Sequence, residues 1–229
     1  MGAGANLDTI VIAMDGTAGS GKSSASRGVA TALGLRYLDT GAMYRAMTWQ
    51  MLLDGVDVQD PDAVAERAET VVIESGTDPA RATIRLHGSD VSREIRSGEV
   101  NVAVSPVSAV PRVRELLVGQ QRQIIGTGGI VVEGRDIGTV VAPDAALKVY
   151  LSADPSARAK RRAAELAADQ KRDLEHVEKS LVRRDAYDSS RATAPLMVAD
   201  DAVQVDTTEL TLDQVVARIV ELARSRVPA

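Results

Sequence analysis

Residues 9–33 constrain this chain more than any other stretch. A β-branched apolar run, Thr9-Ile10-Val11-Ile12-Ala13-Met14, has the make-up of a buried strand. It runs through Asp15 into Gly16-Thr17-Ala18-Gly19-Ser20-Gly21-Lys22-Ser23-Ser24, which fits G-x-x-x-x-G-K-[ST]. Val29, Ala30, Leu33 and Leu35 then recur at a spacing that faces a core from a helix. A strand that turns through glycines into a helix is a phosphate cradle. The glycines let successive N–H groups aim at one anion, and the helix start adds unpaired N–H groups and the positive end of its dipole. Lys22 is spaced to reach the β- and γ-phosphates of a nucleoside triphosphate, and Ser23 to offer its hydroxyl to Mg2+. A surface turn matching by chance is the bland alternative; the flanking strand and helix argue against it.

Composition narrows what else the chain does. Its 229 residues suffice for one sizeable domain with a small insert. There is no Phe and aromatics are 2%, so no row of rings exists on which bases of a nucleic acid could stack. A net charge of −5 argues against non-specific binding to nucleic acid or to a membrane. With no Cys, a disulfide framework, a thiolate zinc site and a cysteine nucleophile are excluded. No run of about 18 apolar residues spans a bilayer, and Met1–Asn6 lacks the basic and long apolar regions of a signal peptide. The expectation is a cytoplasmic protein.

Further elements follow in alternation. Leu35–Gly41 reads as a short strand ending in polar residues, and Ala42–Leu53 as a helix stopped by Asp54-Gly55. Asp60-Pro61 opens another helix as cap and first-turn proline. Thr70–Ile73 and Ala82–Leu86 read as an antiparallel hairpin, with His87–Asp90 as a second turn. Residues 60–110 are therefore expected to be an insert between core segments 8–59 and 111–229. Pro111 starts a long helix through Ile124; Ile130–Glu133, Ala146–Leu151 and Ala202–Asp206 are strands; helices follow from Asp154-Pro155, over Asp173–Asp188 and over Thr211–Ala223. Such alternation predicts an α/β fold with a parallel central sheet covered on both faces.

In such a sheet, ligands sit beyond the C-terminal strand ends. Asp39, Thr40 and Arg45 fall there, as do Arg135 and Asp136 and the glycine-rich loop. Arginines beside a phosphate loop point to a second anion, although either alone could be a surface ion-pair partner. Arg158, Arg161 and Arg162 share one helix face at i, i+3 and i+4. Like charges that close repel unless an anion sits among them, and arginines so placed stabilise a phosphoryl group in transfer. A solvated basic face is the plain alternative. Arg184 and Asp188 are i, i+4 neighbours, which a helical ion pair of about 0.3–0.5 kcal/mol would explain without a substrate. His87 and His176 receive no role, and Trp49 and the methionines are read as core.

Gly16–Ser24, Leu38-Asp-Thr-Gly-Ala-Met-Tyr-Arg45, Pro111-Arg-Val-Arg114, Glu133-Gly-Arg-Asp-Ile-Gly-Thr139 and Arg184-Asp-Ala-Tyr-Asp-Ser-Ser-Arg191 occur in the order found in bacterial cytidylate kinases. The chain resembles that family over nearly its whole length. The glycine-rich loop is shared by many ATPases and GTPases; the second and fourth segments are far more specific. The resemblance implies a three-layer P-loop kinase fold, a small antiparallel sheet in an enlarged nucleoside-monophosphate-binding insert, and a short Arg-rich lid at 154–170. It implies phosphorylation of CMP and dCMP by ATP with Mg2+, in a monomer that binds neither nucleic acid nor membrane. On the matching positions, Gly16 to Ser24 would hold ATP, with Ser23 on the metal. Thr40, Ser105, Arg114 and Asp136 would surround cytosine, beside Asp39; Arg45 and Arg135 would meet the CMP phosphate. Arg184 and Asp188 would meet the ribose, and Arg191 the phosphate side. Lys22, Arg135, Arg158, Arg161 and Arg162 would carry the transfer. Glu133 stands where Asp is also common in similar proteins, and no catalytic role is assigned to it. A kinase of another small acceptor such as UMP is the nearest rival. A GTP-binding switch would carry Asn-Lys-x-Asp, which is absent.

Overall fold

The structure, a computed structural model, describes residues 7–165, 174–191 and 194–226. Residues 166–170 of the expected lid, and Asp173 at the expected start of a helix, lie outside them.

β1 (Val11–Gly16) occupies the middle of a five-stranded sheet. β6 (Ile130–Glu133) and β7 (Leu147–Ser152) flank it, and β2 (Arg36–Asp39) and β8 (Val203–Asp206) form the edges. Every pairing is parallel, with Met14 opposite Glu133 on one side and Val149 on the other. The pleat sorts the side chains into two cores. Ile12, Met14, Tyr37, Val131, Leu147, Val149 and Leu151 face α1 (Lys22–Leu33) and α8 (Leu212–Arg226). Ala13, Leu38, Ile130 and Val132 face α2 (Thr40–Leu53) and α5 (Pro111–Ile125). Residues with apolar neighbours on both sides of the sheet cannot tolerate a solvated face, which is why these strands are apolar throughout. The result is the expected three-layer architecture.

Between α2 and α5 lie α3 (Pro61–Ala68), three short antiparallel strands and α4 (Gly98–Ala109). Asp60 caps α3 as expected, accepting from the backbone N–H groups of Asp62 and Ala63. The expected hairpin is displaced and enlarged. β3 (Ile73–Ser75) pairs with β4 (Ile84–Leu86), and β4 pairs with β5 (Ser89–Asp90). His87 and Gly88 alone make the second turn, both with positive φ, so Ser89-Asp90 is strand rather than turn. Ile73, Ile84 and Leu86 join the core that covers the main sheet. Met14, Met43, Met47 and Met51 are core, but Met197 is exposed.

Three features escape the sequence pattern. α4 carries Pro106 in its interior, where the missing N–H normally breaks a helix; Ser97 caps its start at Val100 N. Ile137–Val141 forms a π-helical turn just past Asp136. α7 (Leu174–Ser190) folds back against α6 (Pro155–Glu165), and Val177, Leu181 and Ala159 close over Ala18 of the glycine-rich loop.

Gly16 sits at φ +142, and a Cβ there would strike the Leu151 carbonyl oxygen of β7. Because backbone cannot yield as a flexible side chain does, Gly16→Ala should destabilise the fold by at least about 2 kcal/mol, read as a lowered urea midpoint. An unchanged midpoint would mean that β1 and β7 separate freely at this point.

Candidate active site

The loop leaves the sheet at its centre, and its first charges are already tied down. Lys22 Nζ donates to the Thr17 carbonyl at 2.6 Å, which folds the side chain back over the loop. Burial and the nearby Arg135 guanidinium push the Lys22 amine below its ordinary value, while Glu133 and Asp185 pull the other way. Ser23 Oγ donates to Glu133 Oε1 at 2.7 Å. Glu133 closes β6 in the core, its other oxygen Oε2 has no hydrogen-bond partner, and burial raises its pKa. A hydroxyl and a carboxylate with a spare oxygen beside a phosphate loop are hard oxygen donors of the kind a small divalent cation takes. Among the described residues no group of three or more His, Cys, Asp or Glu could hold a metal, so a cation here would need phosphate and water oxygens as well.

Asp15, the residue before the loop, received no role from the sequence. Its buried carboxylate accepts from the backbone N–H groups of Ile137 at 2.9 Å and Gly138 at 2.8 Å, and so pins the π-helical turn. That turn in turn fixes Arg135 and Asp136 one step upstream.

On the other side of the cleft, Arg114 and Asp136 form a buried ion pair. Arg114 also donates to the Ser108 carbonyl at 3.2 Å, and its guanidinium lies 5.5 Å above the Tyr44 ring. Beneath them the Tyr44 hydroxyl and both amide atoms of Gln121 are buried without a hydrogen-bond partner. Thr40 spends its hydroxyl proton on the Glu133 carbonyl at 2.7 Å, and Asp39 caps α2 at Ala42 N, 2.9 Å away. Ser105 is half-buried on α4, its carbonyl accepting from Ser108 Oγ at 3.0 Å. Asp188 is nearly enclosed, with Arg135 Nε at 3.3 Å and Arg184 Nε and Arg191 Nη1 each at 3.9 Å. Arg135 reaches back to the loop, donating to the Gly16 carbonyl at 2.6 Å.

The three arginines of α6 fan out from their shared face. Arg158 pairs with Asp185 and donates to the Ala18 carbonyl at 3.0 Å. Arg161 donates to Thr207 Oγ1 at 2.9 Å and to the Ser20 carbonyl of the glycine-rich loop at 3.4 Å, and so bridges the residue after β8 to the loop. Arg162 instead lies near enough to Arg45 and Arg184 to lower the pKa of both, after burial itself. Arg45 has one fixed partner, the Ile95 carbonyl at 3.0 Å. A guanidinium does not shed its proton in a protein, so the cluster stays cationic, offset in part by Asp39 near Arg45 and by Asp188 and Asp185 near Arg184.

The family model described as cytidylate kinase matches residues 12–225. A cytidylate kinase of Streptomyces griseus is 55% identical over 220 residues, covering 95% of this chain and 94% of its own. One of Rhodococcus opacus is 52% identical over 223 residues, covering 96% of this chain and 97% of its own. The chain belongs to the cytidylate kinase family. It is thus a nucleoside monophosphate kinase that phosphorylates CMP with ATP, and the UMP alternative is not favoured. Among solved structures, shikimate kinase from Acinetobacter baumannii in complex with shikimate aligns with a TM-score of 0.48 at 15% identity over 96% of each chain.

For a cytidylate kinase, the residues the sequence pattern left out are instructive. Asp15 and Asp185 lie beside or within motifs that carry the family resemblance, yet their partners are distant in the chain. Asp15 at least stands out as a charge ending an apolar run, whereas Asp185 is one charge among several in Arg183–Arg191.

Burial raises the Asp15 carboxyl from 3.8 to about 6, outweighing its two backbone hydrogen bonds and Lys22. A folded-state value above the unfolded one means that ionisation is penalised in the fold, so stability falls as pH rises from 3.8 to about 6 and is level above. Asp15→Asn removes that titration. Relative to the variant, the parent should lose about 3 kcal/mol of unfolding free energy across this window, measured by urea denaturation at each pH. Parallel profiles would place the Asp15 carboxyl at its ordinary value.

Proposed function

We propose that this family member transfers the γ-phosphoryl group of ATP in line to the phosphate of CMP or dCMP, giving CDP or dCDP, in the cleft between the glycine-rich loop and Arg114–Asp136. The convergence of Arg45, Arg135, Arg184 and Arg191 on a place beside the loop is the observation that carries this reading. The loop N–H groups of residues 16–24 and Lys22 take the donor phosphates. Arg45 and Arg135 take the acceptor phosphate, Arg184 and Asp188 the ribose, and Arg191 the phosphate side. Arg158, Arg161 and Arg162 neutralise charge from the lid, Arg161 from beside the loop at the Ser20 carbonyl.

The acceptor is a phosphate monoester whose second pKa is about 6, so at neutral pH it is mostly a dianion and needs no general base. Positioning and charge neutralisation then supply the rate. Mg2+ would be held by Ser23 with Glu133 behind it, and it would neutralise charge on the donor phosphates. Water must be excluded, or the phosphoryl group would be lost to hydrolysis, and α6 and α7 over the loop provide that cover.

Selectivity follows from the Arg114–Asp136 pair. Cytosine offers an amino donor for the carboxylate and a ring-nitrogen acceptor for the guanidinium. Uracil reverses both, which leaves buried polar groups unpaired. We further propose a cytoplasmic monomer without nucleic acid or membrane partners. Among the described residues no helix is long and apolar enough to cross a membrane.

Phosphate transfer from ATP should be fastest on CMP and dCMP in a panel with UMP, AMP and shikimate, and a better acceptor among the last three would refute the assignment. Asp188 neutralises three arginines but touches no loop group. Asp188→Ala should therefore raise KM for CMP by at least about tenfold while moving KM for ATP little. Equal losses would reduce Asp188 to a staple within α7.

A further inference from the structure

Three separate parts of the chain converge on one carboxylate that neither the sequence motifs nor the reaction assigns. Ala18, the third residue of the glycine-rich loop, donates its backbone N–H to Asp185 Oδ1 at 2.9 Å. Arg158 of the lid helix pairs with Oδ2. Arg135, from the acceptor side, brings Nη1 to 3.7 Å from Oδ1. The Lys22 amine feels the same negative charge. A loop N–H, a lid guanidinium and an acceptor-side guanidinium are the donors that a phosphoryl group must meet as it passes from one nucleotide to the other. Asp188, three residues on, has arginine neighbours but no loop N–H.

We infer that Asp185 is a positioning residue that stands in for the transferred phosphoryl group in the nucleotide-free enzyme, reserving Arg158 and the Ala18 N–H until ATP displaces it. The inference rests on the placement of the loop and arginines proposed above. With the carboxylate in place, the four-residue contact of Ala18, Ala159, Val177 and Leu181 keeps the lid helices on the loop before any nucleotide arrives. The same contact lowers affinity for ATP, because two anions cannot share one set of donors and the incoming phosphate must take Arg158 from its partner. ADP, which brings no γ-phosphate, has less need to evict it.

Asp185→Asn keeps an oxygen for the Ala18 N–H but presents no charge to Arg158. Calorimetric titration of parent and variant with a non-hydrolysable ATP analogue, with ADP and with CMP tests the inference. The dissociation constant for the analogue should fall about five- to tenfold, that for ADP should fall less than twofold, and that for CMP should hold. Unchanged or weaker analogue binding, or equal shifts for both donor nucleotides, would overturn it; a purely structural ion pair gives one of these. The parent alone supplies a second readout. Scalar coupling across the hydrogen bond from the Ala18 amide nitrogen to the Asp185 carboxyl carbon should be present in the free enzyme and lost with the analogue bound. Coupling that survives nucleotide binding overturns the inference even if the variant does not fold. A parent that fails to phosphorylate CMP would sink the functional reading instead, since these titrations do not depend on turnover.

Discussion

Cations gathered inside a low-dielectric cleft persist only where anions share it, and that condition organises this molecule. Asp188 answers Arg135, Arg184 and Arg191; Asp136 answers Arg114; Asp185 answers Arg158; Glu133 offsets Lys22. Even so, Arg45 and Arg184 are crowded, each lowered in pKa by burial and then by neighbouring arginines despite Asp39 near the first and Asp188 and Asp185 near the second. Removing one partner of such a buried pair typically costs about 3–5 kcal/mol, because the other charge is left stranded. The fold therefore cannot relax the crowding by swinging side chains into solvent without losing stability elsewhere. A phosphate, as proposed for the acceptor, would ease it.

The sheet makes that crowding possible. β1 lies at its centre, so the loop that follows it can be approached from both neighbours. Glu133, at the end of β6, takes the Ser23 hydroxyl from one side, and the Leu151 carbonyl of β7 presses on Gly16 from the other. Asp15 then uses its carboxylate to tie the next loop down at Ile137 and Gly138. Donor loop and acceptor loop are thus braced by one residue of the central strand, which fixes their separation more firmly than side-chain contacts across the cleft could do.

Local patterns were legible in the sequence wherever the chain decides its own structure. The run from Ile10 to Leu33 read correctly because strand, glycine turn and helix are consecutive, and the parallel sheet followed from alternation. Asp60-Pro61 announced α3 for the same reason. What escaped depends on partners far along the chain. The π-helical turn at Ile137–Val141 is stabilised by a carboxylate 122 positions away. Helix α4 persists despite Pro106 because Val100 and Ala103 are buried and Val104 and Val107 join the core that covers the main sheet, a tertiary gain that outweighs one lost hydrogen bond. β5 is two residues long, too short for any periodicity to mark. The arginines on α6 share a face as their spacing requires, but spacing says nothing of Thr207, which with the Ser20 carbonyl fixes where Arg161 lies. Asp185 was invisible for the same reason, since its loop partner stands 167 positions earlier.

Balancing buried cations with carboxylates has a consequence for discrimination. Each ion pair in the free cleft must loosen for a phosphate to enter, so a ligand is accepted only if its charge repays what it disrupts. On the proposed placement, a nucleoside, which carries no phosphate, brings nothing to replace Asp185 or to relieve Arg45 and Arg184, whereas the terminal phosphate of a triphosphate would do the first and a dianionic monophosphate the second. Water, small and neutral, cannot draw Arg158 away from its carboxylate partner. A lid held by an internal anion therefore separates two requirements that would otherwise conflict: the cleft stays assembled without substrate, and its charges are released only to ligands bearing the groups between which phosphate is passed.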